Sequence, residues 1–346
     1  MTDPAAPRPD PEPADQPAEA AAGSPSSSSE PGFSRCDEEE TRGLLRALVV
    51  LLGLLPKNAI SRIAGRLAGL ALPGPLQRAE IRLFAWLVGV DLDEARDPVE
   101  AFDSLQQFFT RALRPGARPI EGDEQTIVSP CDGAWGESGR IREGTLVQVK
   151  GRRYGVAELL ADPTLAPAYE GGWYATFYLS PRDYHRFHTP LSGRFVRLDH
   201  RPGALWPVNS IGLEGVDGLF ARNERICAYL RPDAVAMDVV TGEAGPADVG
   251  QGAVALVAVG ATMVGSVRVS FDEMSTNVRD ASAETRLLGL RAPHFARGAE
   301  WGHFEFGSTI VMLLPKAGYA LDLKPLGAPL RQGEAIGRVG TEEAAD

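Results

Sequence analysis

The sequence predicts an α+β protein in which a mainly antiparallel β domain, barrel-like or sandwich-like, follows a helical segment and a disordered tail. Three segments of different composition along the 346 residues support this prediction. Residues 1–40 resemble a tail, residues 41–100 have helical periodicity, and residues 101–346 contain short apolar runs separated by Gly and Pro. A hydrophobic content of 44% is sufficient for a buried core.

The tail, residues 1–40, is rich in Pro, Ala and Ser and contains ten acidic and two basic residues. Such a segment cannot bury enough apolar surface to offset the chain entropy lost on folding, which predicts disorder. The tail therefore carries most of the formal net charge of −11. The rest of the chain is close to neutral, so its charge gives no reason to expect a nucleic-acid partner.

Residues 41–100 predict amphipathic helices. The apolar run 47–55 is shorter than the ~20 residues that a membrane span requires. Apolar residues recur at helical spacing from Ile60 to Ala71, a Pro-Gly-Pro sequence follows, and a second helix is expected over Leu76–Val90. Seven basic residues and one acidic residue lie between positions 42 and 90. This pattern is typical of helices lying in a lipid interface, and it is equally compatible with a helical cap on the domain.

The β domain is predicted from short runs of β-branched and apolar residues bounded by Gly and Pro. The chain has neither a phosphate-binding P-loop nor a GxGxxG sequence, so it gives no support for nucleotide binding. The expected strands are 145–150, 173–179, 194–198, 226–230, 253–259, 264–271 and 308–314.

Three scattered cysteines, Cys36, Cys131 and Cys227, form no CxxC pair, which favours a reducing compartment over a disulfide framework. The first residues lack a basic stretch followed by an apolar run, so no secretory signal is predicted. We therefore expect the folded part on the cytoplasmic side.

Three clusters hold residues that could perform chemistry. Asp132 lies in the turn-like sequence SPCDG, His185 and His188 lie in YHRFHTP, and Gly307-Ser308 precedes an apolar strand. Alone, Asp132 before a Gly is most simply a turn residue, and a Gly-Ser pair is commonplace. The histidines carry more information, because imidazole is the usual acid or base near neutral pH. Their Pro-rich flanks predict a turn.

Together these clusters supply an acid, a histidine and a serine, the parts of a nucleophilic triad. The GxSxG turn of common serine hydrolases is absent from the sequence. Gly307 has no side chain to shield its carbonyl group. This arrangement suits a serine, Ser308, that attacks the carbonyl of the preceding residue with a histidine as base.

At this point the sequence resembles the phosphatidylserine decarboxylase family. The resemblance runs from about Leu44 to Val339 and leaves only the tail uncovered. Six stretches are similar, in the same order, to blocks of that family: FFTRALRPGARPI, SPCDG, YHRFHTP, NERICAYL, VGATMVGSV and GHFEFGSTIVMLLP.

The resemblance implies self-cleavage. Asp132 would orient His188, His188 would take the proton of Ser308, and the Ser308 oxygen would attack the Gly307 carbonyl. The resulting ester would eliminate and hydrolyse to leave a covalent pyruvoyl group in place of Ser308. The products would be a β chain, 1–307, and an α chain, 308–346.

The resemblance also implies the reaction. Phosphatidylserine would lose carbon dioxide to give phosphatidylethanolamine, with the pyruvoyl group as electron sink and His185 as proton donor. The enzyme would be peripheral at the cell membrane, where the basic helical segment attracts anionic lipid. The processed αβ unit could pair as a homodimer. No metal is expected.

Two other interpretations compete. Asp132, His185 and His188 could form a two-histidine, one-carboxylate iron site. The C-terminal sequence LRQGEAIG resembles the closing hairpin of lipoyl or biotinyl carrier domains, in which case Lys316 would be modified. A decarboxylase for another serine phospholipid is a nearer alternative.

Overall fold

The structure is a computed structural model, and it describes residues 57–148, 151–236, 252–262, 266–278, 281–289, 292–305, 308–316 and 318–340. The predicted tail, the apolar run 47–55 and Gly307 lie outside the described residues. All the described residues belong to one compact unit that spans positions 44–346.

The described helices are mostly short. Two long helices come first, and the others connect strands or cover the sheet. Their bounds are α1 (Lys57–Ala68), α2 (Gly74–Val88), α3 (Leu105–Phe109), α4 (Val156–Leu160), α5 (Ser210–Gly215), α6 (Leu219–Arg222) and α7 (Asp233–Ala236). Single 3₁₀ turns occupy Leu92–Glu94, Val99–Ala101 and Ala166–Tyr169.

Helices α1 and α2 confirm the two predicted helices, with bounds shifted by two or three residues. Helix α2 begins immediately after Pro73, where a proline in the first turn costs no hydrogen bond. It ends at Gly89, whose φ of 80° is a left-handed conformation that favours glycine. Its buried residues Ile81 and Ala85 pack with Phe108 of α3. Helix α2 is therefore attached to the domain through one face only.

The strands of the described residues follow the predicted spacing. Their bounds are β1 (Thr126–Val128), β2 (Gly133–Arg140), β3 (Thr145–Val147), β4 (Arg153–Gly155), β5 (Trp173–Leu179), β6 (Arg186–His188), β7 (Gly193–Arg201), β8 (Arg225–Pro232), β9 (Val254–Val259), β10 (Val267–Val269), β11 (Glu284–Leu287), β12 (His294–Phe295), β13 (Glu300–Phe304), β14 (Ser308–Leu314), β15 (Tyr319–Leu321), β16 (Pro329–Leu330) and β17 (Ala335–Val339).

One large antiparallel sheet organises the domain. Its strand order is β11-β7-β8-β9-β14-β5-β2-β16, with β12 also paired to β7. Two smaller antiparallel sheets have the orders β1-β17-β15 and β10-β13-β6, and β3 pairs with β4. The predicted α+β class with mainly antiparallel strands is confirmed.

Both faces of the large sheet are covered. On one face, Ile310 and Met312 of β14 belong to a core shared with the two small sheets, which gives the sandwich-like arrangement. On the other face, Val311 and Leu313 pack with α4, α6 and the β3–β4 hairpin. Successive side chains of a strand point to opposite faces, so a strand between two cores is apolar throughout. This explains the uninterrupted apolar sequence 310–314 within β14.

The outer faces of α1, of α2 and of the short link between them are apolar and exposed. We call this surface the apolar helical face, and its exposed members are Ile63, Leu67, Leu70, Leu72, Leu76, Leu83, Trp86 and Leu87. Trp86 is 77% exposed and Leu87 is 65% exposed, which is unusual for neighbouring large apolar residues. Among the described residues, no helix has the length and apolar character needed to cross a bilayer.

Candidate active site

Ser308 begins a strand at the centre of the large sheet. Antiparallel pairing sets Ser308 opposite Leu179, the last residue of β5. The chain continues from Leu179 into the loop 180–185, which ends at His185. Strand pairing therefore brings the predicted nucleophile to the start of the segment that carries the predicted histidines.

The two histidines adjoin the strand that leads to Ser308. His188 is in β6 and pairs with Glu300 of β13. The backbone N–H of Phe304, four residues before Ser308, donates to the carbonyl of His185 at 2.9 Å. The predicted turn is only partly correct: residues 180–185 form a loop, but Arg186–His188 is a strand, because it completes a small sheet with β10 and β13.

Ser308 itself is fully buried, and its Oγ has no hydrogen-bond partner in the described part of the chain. A buried hydroxyl without a partner is costly, which marks it as a functional candidate. The residue lines a cavity of about 430 Å³ together with Gly133, Leu179, Asp183, Ala261 and Pro329. The orphaned Oγ and the adjoining cavity fit conversion of this residue into a pyruvoyl group.

His188 is held in one tautomer. Its Nδ1 lies 2.9 Å from the carbonyl oxygen of Gly298, so Nδ1 must carry the proton that it donates. Its Nε2 therefore has the lone pair, and it accepts from the hydroxyl of Tyr184 at 3.2 Å. Burial lowers the pKa of His188 below its ordinary value, which keeps the imidazole neutral. A neutral imidazole with a lone pair on Nε2 is a competent general base.

His185 is also a neutral imidazole. Its Nδ1 donates to the carbonyl of Asp183 at 2.8 Å, and its Nε2 has no partner within the described residues. Burial lowers the pKa of His185 to about 3. The ring of Phe109 covers it, with 4.0 Å between ring centroids. In this state His185 can accept a proton at Nε2, so it must gain one before it can act as the predicted donor.

Asp132 is buried in an ion-pair network. Its carboxylate accepts from Arg118, with 2.6 Å between Nη2 and Oδ2, and from the backbone N–H of Gln332 at 2.8 Å. Arg118 also donates to Glu94 at 2.7 Å, and this hydrogen bond lowers the pKa of Glu94. Asp132 thus links the segment before Ser308 to the segment after it.

The structure differs from the prediction that Asp132 orients His188 directly. Among the described residues, the His188 side chain hydrogen-bonds to the Gly298 carbonyl and to the Tyr184 hydroxyl. The Asp132 carboxylate is occupied by Arg118 and by the Gln332 backbone. The Gly298 carbonyl thereby takes the orienting position. Burial lowers the pKa of His188, and the charge of Asp132 opposes this effect from a longer distance.

The alternative iron site is not assembled by the described residues. Within those ranges, no group of three His, Cys, Asp or Glu side chains converges in a way that could hold a metal ion. The candidate ligands instead point to different partners: Asp132 to Arg118, and His188 to Gly298 and Tyr184.

Sequence reasoning missed several residues of this site. Tyr184 begins the sequence YHRFHTP that holds both histidines, but the contact of its hydroxyl with His188 was not predicted. Phe109 and Arg118 both lie in the stretch FFTRALRPGARPI, which was the only available signal for them. Gly298 contributes a backbone carbonyl, and a backbone contact of this kind cannot be predicted from the residue type.

The chain is similar to known proteins over most of its length. Residues 105–338 match the protein family described as phosphatidylserine decarboxylase. A phosphatidylserine decarboxylase proenzyme of Anaeromyxobacter sp. (strain K) is 41% identical over 84% of this chain and 98% of its own length. The protein of the same name from Brevibacillus brevis is 40% identical over 76% of this chain and 87% of its own length. The one from Myxococcus xanthus is 38% identical over 83% of this chain and 96% of its own length. This chain belongs to the phosphatidylserine decarboxylase family.

Proposed function

We propose that the protein decarboxylates phosphatidylserine to phosphatidylethanolamine, using a pyruvoyl group that it makes from Ser308. The observation that carries the proposal is the buried, unpartnered Oγ of Ser308 in the wall of a 430 Å³ cavity. Two neutral histidines on the adjoining segment supply bases, and family membership supplies the reaction class.

Self-cleavage begins when Nε2 of His188 takes the Ser308 hydroxyl proton. The Oγ atom attacks the Gly307 carbonyl, and His188 passes its proton to the nitrogen of residue 308. The C–N bond then breaks, and an ester joins residue 307 to the Ser308 side chain. Loss of the α-proton of Ser308 then expels the Gly307 carboxylate and leaves dehydroalanine. Water then hydrolyses the dehydroalanine, whose nitrogen leaves as ammonia, and a pyruvoyl group remains. The Gly298 carbonyl holds His188 in the tautomer that the first proton transfer requires.

In catalysis the pyruvoyl group supplies an electron sink next to the substrate amine. The amine arrives as an ammonium ion, which must lose a proton before it can react. Nε2 of His185 has no partner within the described ranges and would take that proton, and the protonated ring would return it to the carbon that loses carbon dioxide. A pKa of about 3 in the uncut chain means that His185 holds no proton of its own, so as a donor it would have to return a proton taken from the substrate.

The two products of cleavage, 1–307 and 308–346, remain together. Strand β14 pairs with β9 on one side and with β5 on the other, so the α chain contributes a central strand. Strand β17 also pairs with β1. Antiparallel pairing and two apolar cores hold the α chain without a covalent link.

The apolar helical face fits a membrane surface. Its helices are too short to span a bilayer, and the exposed Trp86 and Leu87 suit the interface between headgroups and acyl chains. Such an orientation brings the enzyme to a substrate that stays in the bilayer. The cytoplasmic side and a homodimer of the processed unit remain predictions.

An intact mass spectrum of the purified protein tests this function. We expect two chains that split between Gly307 and Ser308, the smaller one lighter by one ammonia than a fragment beginning with serine. Ser308→Ala and His188→Ala should stay whole, and carbon dioxide release from phosphatidylserine vesicles should follow cleavage. An uncut, inactive wild-type chain would overturn the proposal.

A further inference from the structure

A second cavity lies beside α1, away from Ser308. This groove has a volume of about 420 Å³, and we call it the arginine groove because Arg62, Arg66 and Arg268 line it. Ser266, Thr276 and Glu305 complete its polar wall. None of these residues lines the cavity that contains Ser308, so the two cavities are distinct.

The charges of the arginine groove are unbalanced. Arg268 donates to Glu305 at 2.6 Å, and Ser266 donates to the same carboxylate at 2.6 Å. Arg62 and Arg66 have no ion-pair or hydrogen-bond partner among the described residues. Among the described residues that line the groove, three guanidinium groups thus face one carboxylate, and that carboxylate is already occupied. The groove has spare donors and a net positive charge.

The spacing of Arg62 and Arg66 directs both into the same groove. Residues four apart in a helix lie on one side of it, one turn above the other. Guanidinium groups bind phosphate through pairs of parallel N–H donors, which an ammonium group cannot supply. Arg62 is half-buried beside the groove, so its guanidinium group is partly held in place before a ligand binds. This is the chemistry of a phosphate site.

Apolar surface adjoins the arginine groove. Ile63 and Leu67 of α1 and the following Leu70 are each more than half exposed and belong to the apolar helical face. A ligand with a phosphate in the groove would therefore have its apolar part along α1. We propose that the arginine groove binds the phosphodiester of an anionic phospholipid, as a site separate from the cavity that contains Ser308.

The test uses substitutions that keep the net charge. The double variant Arg62→Lys with Arg66→Lys removes both of these guanidinium groups from the groove. The double variant Arg78→Lys with Arg82→Lys is the matched control on α2. Each full-length protein is bound to vesicles of the uncharged, phosphate-free lipid digalactosyldiacylglycerol that are doped with phosphatidylglycerol, or with cholesteryl hemisuccinate at the same surface charge. The second additive has a carboxylate and no phosphate. Circular dichroism and self-cleavage report whether each variant is folded and processed.

We expect the wild type and the control to prefer the phosphatidylglycerol vesicles by about tenfold, which corresponds to one good set of charged hydrogen bonds. The groove variant should bind both vesicles alike. An equal affinity of the wild type for both vesicles, or an equal loss in the control, would mean diffuse attraction and would overturn the site.

A soluble ligand separates the two sources of phosphate. Glycerol 3-phosphate is titrated into the wild type by calorimetry. Weak binding beside a clear vesicle preference supports a lipid site. Tight binding that the groove variant loses, without any vesicle preference in the wild type, would identify a site for free phosphate and would overturn the lipid assignment. None of these readouts requires decarboxylation, so failure of the proposed function would be seen separately.

Discussion

The ring of Phe109 lies against the imidazole of His185, with 4.0 Å between the ring centroids. Phe109 also contacts Phe84 of α2 edge-on, at 6.1 Å. Helix α2 exposes Trp86 and Leu87 on its other side. Only two ring contacts therefore separate the surface proposed to meet the membrane from a proposed catalytic base. The helices cover His185 and exclude water from it.

Phe109→Leu should loosen that cover. The smaller side chain admits water to His185, and because burial is the main cause of the low pKa, hydration should raise it from about 3 towards its ordinary value of 6.5. Titration of the His185 ring protons by NMR in an uncut Ser308→Ala background measures the shift. Phe84→Leu, which removes a ring that touches Phe109, is the control and should change the pKa of His185 less. An unchanged pKa in Phe109→Leu would show that other groups keep the ring dry.

Tyr184→Phe should cleave at least as fast as the wild type. The Tyr184 hydroxyl occupies Nε2 of His188 in the uncut chain, and its removal leaves that lone pair available to Ser308. His188→Ala should remain uncut. A time course of cleavage after synthesis in a cell-free system compares the three proteins. If Tyr184→Phe were as inert as His188→Ala, the hydroxyl would have to carry the proton itself.

The pH dependence of self-cleavage should follow His188. The base is active when neutral, and burial lowers its pKa, so the imidazole stays neutral at a lower pH than an exposed histidine. We expect little change in rate between about pH 8 and pH 6.5, and a fall only as the pH drops through the lowered pKa. Cleavage half-times in buffers across this range measure it. A fall that begins above pH 6.5 would contradict a buried base.

Arg118→Met should destabilise the fold. It leaves two carboxylates, Asp132 and Glu94, without their shared counter-ion, and breaking a buried pair in this way costs about 3–5 kcal/mol. Arg96→Met breaks an exposed pair with Asp97, which water screens, and should change the stability far less. Urea unfolding measures both free energies.

The dependence of the free energy of unfolding on acidic pH tests the role of Arg118 a second time. The pKa of Glu94 is lowered in the folded state, so its stabilising effect is present above its unfolded pKa and is lost as the pH falls through the folded value. The wild type should therefore lose more stability on acidification than Arg118→Met. Equal acid sensitivity of the two proteins would mean that the pair contributes nothing.

Trp86→Ser with Leu87→Ser should weaken vesicle binding about tenfold or more, because both side chains would lose their contact with lipid. Leu323→Ser with Leu326→Ser, which removes two exposed leucines outside α1 and α2, is the matched control. Vesicle sedimentation measures binding. Equal losses in the two variants would show that the apolar helical face has no special role.

The sequence alone predicts the bounds of elements whose residues all follow one pattern. The bounds of β5 and β14 were predicted without error, because each is an apolar run between glycine-containing or polar boundaries. The short helices α4, α5 and α6 were not predicted, since four to six residues do not establish a helical period. Their form depends on packing against the large sheet.

The candidate site was predicted in its residue types but not in its contacts. Asp132, His185, His188 and Ser308 could be named from the motifs, whereas the hydrogen bond of His188 to Gly298 joins positions 110 residues apart. That contact is fixed by the pairing of β6 with β13, which no local pattern encodes. The same holds for Arg118, whose position between two carboxylates depends on the folded chain.

The position of β14 determines how the cleaved enzyme would come apart. This strand has a hydrogen-bonded neighbour on each side, so the α chain can leave only if the large sheet opens. Dissociation and global unfolding are then one process, and processed molecules should not exchange α chains while folded. Cleavage also turns unfolding from a one-molecule into a two-molecule equilibrium. The melting temperature of the processed enzyme should therefore rise with protein concentration, whereas that of uncut Ser308→Ala should not.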